Sequence, residues 1–182
     1  MLVGPPPPGY ARVRFVAQQG AQTRTWADYV GAIVSAAIRL DSRGGVSHVE
    51  AVLPDGTIVA ALRPTGVTRC APDYDTTSNI QIVVDIKMTP LQLATWESFL
   101  ISRIGWPYDT PALAGFLFLQ NFHREHALIC SALITDALRH CGRYPALLAQ
   151  AYHDIDPVVA LLMLQAQPEG SVIIHPVEYL EG

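Results

Sequence analysis

The stretch that decides the fold is residues 44–62, GGVSHVEAVLPDGTIVAAL. Two runs rich in valine and alanine flank Pro-Asp-Gly at 54–56, and this pattern predicts a β-hairpin. His48 lies in the first strand of that hairpin. Because side chains alternate across a strand, His48 and Glu50 are expected on one face and Val49 on the other. Taken alone, His48 is also explained as a solvent-facing histidine on a half-buried strand.

Strand and helix patterns extend from this hairpin in both directions. Strands are predicted for ARVRFVA (11–17), GVTRC (66–70), IQIVVDIKM (80–88) and SVIIHPV (171–177). Helices are predicted for TWADYVGAIVSAAIRL (25–40), TPLQLATWESFLISRIG (89–105), TPALAGFLFL (110–119), CSALITDALRHCG (130–142) and DPVVALLML (156–164). Thr89 and Pro90 are typical of a helix start, and Gly105 is typical of a helix end. Strands cluster early and helices late, which predicts an α+β fold rather than a doubly wound parallel sheet.

The composition indicates one folded domain with a short leader. The chain has 182 residues, of which 50% are hydrophobic and 15% are charged, so it is long and apolar enough to bury a core. Residues 1–9, MLVGPPPPG, form a proline-rich leader that is expected to be flexible or extended. Residues 10–182 form the domain.

Net charge and hydropathy bear on partners and location. A net charge of −4 gives no electrostatic basis for binding nucleic acid or an anionic membrane surface. The most apolar segments, LAGFLFL (113–119) and VVALLML (158–164), are far shorter than a membrane span. The N-terminus has no apolar run of signal-peptide length. We therefore expect a cytoplasmic protein with no integral membrane segment and no nucleic-acid partner.

The three cysteines are Cys70, Cys130 and Cys141. Their number is odd and they contain no CxxC pair, so reduced thiols are expected rather than a disulfide framework. If the predicted helix is continuous, Cys130 and Cys141 are about 16 Å apart, too far for a disulfide. Two histidines in NFHREHAL (121–128) have no second ligand motif, so no metal centre is expected. We expect no metal ion and no organic cofactor.

Cys130 is the residue whose position suggests chemistry. It begins an apolar helix pattern, where unpaired backbone N–H groups and the positive end of the helix dipole favour the thiolate. The same N–H groups suit the oxyanion that develops during acyl transfer. A neighbouring imidazole would complete a nucleophile–base pair. The alternative is a cysteine that only packs in the core.

Three motifs in a fixed order carry a resemblance to a known family. They are SHVEAVLPDGTIVAAL (47–62) with GVTR (66–69), RIGWPYDTPALAGFLF (103–118) and CSALITDAL (130–138). In this order the chain resembles the NlpC-type papain-like superfamily, in its circularly permuted branch, and is similar to YiiX-like and lecithin–retinol-acyltransferase-like proteins. In that branch the histidine strand precedes the cysteine helix, as His48 precedes Cys130 here. The resemblance extends from about Val46 to Gly142. It implies a permuted papain-like fold with an antiparallel sheet packed on helices and the cysteine at a helix N-terminus.

The resemblance also implies roles for three residues. Cys130 corresponds to the nucleophile and His48 to the general base. Tyr108, in GWPYD (105–109), matches the tyrosine that precedes the nucleophile in these folds and helps to line the oxyanion site. The alternative for Tyr108 is a tyrosine that anchors a loop.

The residue that would orient the histidine is less well defined by the sequence. Family members often place an acidic or polar residue on the strand after the histidine, but that strand here contains Ala60 and Ala61. Glu50 is a candidate for the orienting acid, although side chains two apart on one strand point in parallel. Asp109 is a second candidate.

These expectations lead to two classes of function. The resemblance implies a cysteine hydrolase or acyltransferase that acts on an amide or ester, with a bacterial cell-wall peptide or a lipid-like acyl group as substrate. The apolar residues Trp106, Leu117 and Phe118 suit a hydrophobic acyl group but are equally explained as core. The alternative is a non-catalytic binding protein, or a phage- or prophage-associated structural protein, that keeps the fold. In the first case His48 and Cys130 are expected to meet between the sheet and the helix.

Overall fold

A computed structural model describes residues 4–17, 46–74, 80–110, 128–143, 155, 157–175 and 178–179. The helix predicted over 25–40 and most of the helix predicted over 110–119 lie outside the described residues. The strands are β1 Tyr10–Ala17, β2 His48–Val52, β3 Ile58–Leu62, β4 Gly66–Cys70, β5 Ile80–Lys87, β6 Val172–Ile174 and β7 Glu178–Tyr179. The helices are α1 Pro90–Ser102, α2 Cys130–His140 and α3 Pro157–Gln165.

The strands form one sheet in the order β4-β3-β2-β1-β5-β6, with β7 also paired to β5. Every neighbouring pair is antiparallel. The predicted hairpin forms between β2 and β3, and its turn is closed by hydrogen bonds between Leu53 and both Gly56 and Thr57. An antiparallel sheet followed by helices confirms the α+β class predicted from the sequence.

One face of the sheet packs against the helices and forms the main core. Alternate residues of each strand point to this face, and they include Val13, Phe15, Val49, Ala51 and Val84, all fully buried. Helix α2 packs on β2 and β3 and is flanked by α1 and α3. Residues 130–138 of α2 are all buried, because this helix is enclosed by the sheet on one side and by helices on the other.

Helix α1 begins where the sequence predicts. The Thr89 hydroxyl accepts a hydrogen bond from the Gln92 N–H, and the Gln92 side chain accepts one from the Thr89 N–H. This reciprocal capping box satisfies two backbone donors that would otherwise lack partners at the helix start. Pro90 occupies the first turn, where a missing N–H costs nothing. Trp96 on the buried side of α1 lies in the main core.

The opposite face of the sheet carries polar residues around a smaller apolar cluster. Val52, Ile58 and Ala60 are buried there. Since His48 and Glu50 alternate with Val49 and Ala51, they point to this face together with Val52. The face opposite the helices is therefore where the imidazole and the carboxylate lie.

A charged cluster on this second face ties distant parts of the chain together. The Arg12 guanidinium pairs with both carboxylate oxygens of Asp85, at 2.7 and 2.8 Å. Arg12 Nη1 also donates to the carbonyls of Gly4 and Pro5. His175 Nε2 lies 2.7 Å from Asp85 Oδ2. The cluster thus joins the start of the chain, β1, β5 and the residue that follows β6.

The segment after α1 is held against β4 by close backbone packing. The Val67 N–H donates to the Trp106 carbonyl and the Gly105 N–H donates to the Val67 carbonyl, both at 2.8 Å. Gly66 has a φ of 86°, and a Cβ at this position would lie 2.1 Å from the Trp106 carbonyl oxygen. Only glycine fits here, because both the backbone conformation and the available space exclude a side chain. This packing fixes the position of the segment that carries Tyr108.

Among the described residues, the three helices are each too short to cross a bilayer, and no helix combines the required length and apolarity.

Candidate active site

Cys130 is the first residue of α2. Ile129 precedes it in an extended conformation and gives the helix no side-chain cap. The N–H groups of the first turn therefore keep their capacity to bind another acceptor. The Ser131 N–H donates to the Cys130 sulfur.

The second donor to the thiol comes from the sheet. Strands β2 and β3 are in register only at Ala51–Val59 and Val52–Ile58, so they separate toward the start of β2. The Val49 N–H lies beyond the last register pair and donates to the Cys130 sulfur. Two backbone N–H groups, one from a helix and one from a strand, therefore converge on the thiol.

His48 also contacts the thiol. It is the first residue of β2, and its side chain forms a hydrogen bond with Cys130. Cys130 lies in the helix-packed core, whereas His48 shares the opposite face with Glu50. They meet at the end of β2, where β3 has separated from it.

The proximity of His48 and Cys130 changes both pKa values. Burial alone would lower the pKa of His48, but the charge of the Cys130 thiolate, a hydrogen bond to it and the contact with Glu50 raise that pKa to about 10. Burial alone would raise the pKa of Cys130, but the charge and hydrogen bond of His48 and the two backbone donors lower it. Each group therefore favours the charged form of the other, a thiolate beside an imidazolium.

Glu50 is close enough to act on His48. His48 Nε2 and Glu50 Oε2 are 3.6 Å apart, which is long for a hydrogen bond, and Nε2 has no closer hydrogen-bond partner among the described atoms. The contact is therefore mainly an attraction between opposite charges. The expected obstacle, that side chains two apart on a strand point in parallel, does not keep the two groups apart.

Two residues that the sequence did not single out hold the Glu50 carboxylate. Arg14, directly opposite Glu50 in the β1–β2 register, donates from Nε to Oε1. The Tyr74 hydroxyl donates to Oε2. Burial alone would raise the pKa of Glu50, but His48, Arg14 and Tyr74 together lower it. The carboxylate, which is 0% exposed, thus stays ionised inside the protein.

Tyr108 lies beside the nucleophile. Tyr108 and Leu128 form an isolated parallel β-bridge, and Leu128 precedes Cys130 by two residues. Burial and the negative charge of Cys130 raise the pKa of the Tyr108 hydroxyl, and this effect exceeds the opposing effect of Arg63. The hydroxyl is therefore a neutral hydrogen-bond donor at any physiological pH. Its proximity to Cys130 is compatible with the oxyanion role implied by the resemblance.

Asp109, the other candidate for the orienting acid, belongs to the same bridge. Its backbone N–H donates to the Leu128 carbonyl, 3.2 Å away, and its side chain is buried. Of the two candidate acids, Glu50 is the one that raises the His48 pKa. The structure therefore brings Cys130, His48, Glu50 and Tyr108 together and gives Asp109 a place in the supporting loop.

Other residues named from the sequence do not join this group. All three cysteines are free, and burial raises the pKa of both Cys70 and Cys141. In the ranges that the structure describes, no three His, Cys, Asp or Glu side chains are grouped so as to hold a metal ion. Trp106 packs at the edge of the core. Leu117, Phe118 and the two histidines of NFHREHAL lie outside the described residues.

One sequence signal could have identified Arg14. Arg12 and Arg14 are alternate residues of a predicted strand, so they share a face, and buried cations require carboxylates on neighbouring strands. Glu50 in β2 and Asp85 in β5 are the acidic residues within those two strands, and each pairs with one of the arginines. No comparable pattern marks Tyr74, which lies in the segment after β4.

A comparison of the chain with protein-family models finds no match, and a comparison with curated proteins finds none either.

Proposed function

We propose that this protein is a cysteine hydrolase or acyltransferase of permuted papain-like (NlpC-type) fold, which cleaves an amide or ester through an acyl-thioester intermediate. The observation that carries the proposal is the buried Cys130–His48 pair. Its thiol pKa is lowered and its imidazole pKa is raised. A thiolate beside an imidazolium has both the nucleophile and the acid that acyl transfer requires.

The reaction follows from these two groups. The Cys130 thiolate attacks the substrate carbonyl carbon, a carbon–sulfur bond forms, and the carbonyl oxygen takes the negative charge. The backbone N–H groups at the start of α2 and the Tyr108 hydroxyl are suited to donate to that oxyanion. His48 then gives its proton to the leaving nitrogen or oxygen as the carbon–heteroatom bond breaks. Water or another acceptor attacks the thioester, His48 takes a proton from that acceptor, and the thiolate leaves.

Glu50 has a positioning and electrostatic role in this scheme. Its carboxylate is next to His48 and remains ionised, so it stabilises the imidazolium throughout the cycle. Arg14 and Tyr74 fix the carboxylate by occupying both of its oxygens. The three residues therefore replace the acidic or polar group that the resemblance led us to seek on the strand after His48.

The fold assignment is supported by the order of the elements. The histidine strand β2 precedes the cysteine helix α2, and an antiparallel sheet packs on that helix. We propose a peptide or a lipid-like acyl compound as the substrate, with no metal or organic cofactor.

A non-catalytic binding role is the second candidate, and the burial of the site favours it. Cys130 and His48 are each only 6% exposed, so a substrate carbonyl would have to displace neighbouring atoms to reach the sulfur. In this alternative the charged pair stabilises the fold and performs no acyl transfer.

The pH dependence of Cys130 alkylation by iodoacetamide, read by mass spectrometry, separates the two candidates. In the parent protein we expect reaction at pH values well below the ordinary thiol pKa of about 8.5. The His48→Ala variant is expected to lose this reactivity at low pH. Cys141 is the internal reference, because burial raises its pKa. If Cys130 is inert, or reacts as an ordinary thiol in both proteins, the catalytic proposal fails and the binding role is favoured.

A further inference from the structure

Arg63 is an arginine near the site that forms no salt bridge with any residue the structure describes. It lies in the turn between β3 and β4 and is half-buried. Its guanidinium carbon is 5.7 Å from the centre of the Tyr108 ring, and the group is within hydrogen-bonding reach of the Tyr108 hydroxyl. The charge of Cys130 raises the pKa of the Tyr108 hydroxyl, so Tyr108 contacts Arg63 and also lies near the thiol.

Other arginines of the sheet have carboxylate partners. Arg12 pairs with Asp85, Arg14 with Glu50 and Arg69 with Asp55. Across the described ranges, no carboxylate forms a salt bridge with Arg63, and its contacts are with Tyr108. Asp109 also acts electrostatically on Tyr108.

A half-buried guanidinium over an aromatic ring is held in a defined orientation while its N–H groups stay available. Arginine binds planar anions through paired N–H donors, and the cation–π contact with the Tyr108 ring restricts where the group lies. The turn that carries Arg63 is itself fixed, because Gly66 and Val67 pack against the backbone of Trp106.

We propose that Arg63 is a specificity residue that binds an anionic group of the acyl substrate, a carboxylate or a phosphate, close to the carbonyl that Cys130 attacks. The inference rests on the proposed function and narrows its substrate class to acyl donors that carry a negative charge near the reacting carbon. Tyr108 then has two partners, the guanidinium on one side and the reaction centre on the other.

The test compares two reagents that differ only in charge. Iodoacetate and iodoacetamide both form a carbon–sulfur bond with the thiolate and release iodide, but only iodoacetate carries a carboxylate. The rates of Cys130 modification are measured by mass spectrometry in the parent protein and in Arg63→Gln. We expect the ratio of the iodoacetate rate to the iodoacetamide rate to fall about five- to tenfold in Arg63→Gln, as loss of one charge near the thiol implies.

Two controls separate this effect from general ones. Arg69→Gln removes the same charge from an exposed position on β4, where Arg69 pairs with Asp55, and is expected to leave the ratio unchanged. The iodoacetamide rate of Arg63→Gln itself reports whether the thiolate and the fold are intact. His48 and the helix dipole also favour iodoacetate, but they are the same in both proteins and cancel in the comparison.

The outcomes distinguish this inference from the proposed function. If iodoacetamide reacts at low pH and Arg63→Gln leaves the ratio unchanged, the site is reactive and the role of Arg63 is wrong. If Cys130 shows no thiolate reactivity with either reagent, the proposed function fails first. Protection of Cys130 from iodoacetamide by N-acetylglycine or by glycerol 3-phosphate then identifies the anion as a carboxylate or a phosphate, respectively. No protection by either compound would overturn the inference.

Discussion

At the scale of single residues, the site depends on how Glu50 is kept charged. A fully buried carboxylate would ordinarily take up a proton, but Glu50 has a cation on each side, Arg14 across the strand pair and His48 on its own strand. Tyr74 adds a neutral donor. Arg14 therefore helps to keep Glu50 ionised, and the negative charge of Glu50 in turn stabilises the imidazolium form of His48.

Replacing Glu50 tests this coupling directly. In Glu50→Gln we expect the His48 pKa to fall from about 10, because the amide removes the negative charge that helps to stabilise the imidazolium. NMR titration of the His48 ring protons measures the change. Asp55→Asn, at the exposed hairpin turn, is the control and is expected to have no effect. An unchanged His48 pKa in Glu50→Gln would show that Cys130 alone sets it.

Tyr74→Phe removes one hydrogen bond and leaves the ring in place. The lost bond ends on a buried carboxylate, so we expect the free energy of unfolding to fall by about 1–3 kcal/mol. Urea denaturation measures this change. Tyr10→Phe is a matched control, since no hydrogen bond of the Tyr10 hydroxyl is present among the described contacts. Equal losses in the two variants would mean that the Tyr74 hydroxyl contributes nothing specific.

At the scale of elements, the sequence predicted most of the architecture and less of the site. The hairpin, the flanking strands and the start of α1 follow from local signals such as the Pro-Asp-Gly turn and the Thr89 cap. The separation of β2 from β3 does not follow from local signals, because the apolar pattern of residues 57–62 is the same whether or not the strands stay paired. The meeting of Cys130 and Val49 depends on that separation, and only the tertiary structure shows it.

The contact between β4 and the segment after α1 gives a prediction at this scale. Gly66→Ala combines a positive φ with a clash against the Trp106 carbonyl, so we expect a loss of about 3 kcal/mol or more in unfolding free energy. Gly105→Ala has a similar φ of 89° and nothing within 4 Å of the new Cβ. We expect it to cost only about 1 kcal/mol.

Denaturant unfolding of both glycine variants makes this comparison. The iodoacetamide rate at Cys130 is measured alongside, because displacement of Trp106 also displaces Tyr108. If Gly66→Ala and Gly105→Ala lose the same stability, the close approach to Trp106 has no energetic consequence.

At the scale of the whole molecule, buried ion pairs connect stability to pH. Glu50 and Asp85 both have lowered pKa values, although burial alone would raise them. His48 and Arg14 lower the pKa of Glu50. Arg12 and His175 lower the pKa of Asp85. A group whose pKa is lower in the folded state stabilises the fold above its unfolded pKa and loses that contribution as pH falls. His48, with a raised pKa, stabilises the fold below pH 6.5 in full and loses its contribution as pH rises through about 10.

We therefore expect the unfolding free energy to decrease in acid, below about pH 4.5, and again in alkali as His48 loses its proton. Urea denaturation at a series of pH values measures both decreases in unfolding free energy. Asp85→Asn is expected to weaken only the decrease in acid. His48→Ala is expected to remove the decrease in alkali and, because His48 also lowers the Glu50 pKa, to weaken the decrease in acid as well. Constant stability from pH 4.5 down to pH 2 would contradict the assignment of ionised carboxylates in the folded protein.

The Val49 N–H has a consequence for experiments on this protein. It is an amide of the sheet, yet its acceptor is the sulfur of Cys130. Its NMR resonance should therefore shift as the thiol changes charge. Its rate of exchange with deuterium should also change when the sulfur is acylated or alkylated, because the acceptor of the hydrogen bond is then altered. This backbone amide would thus report the charge and the chemical state of the Cys130 sulfur.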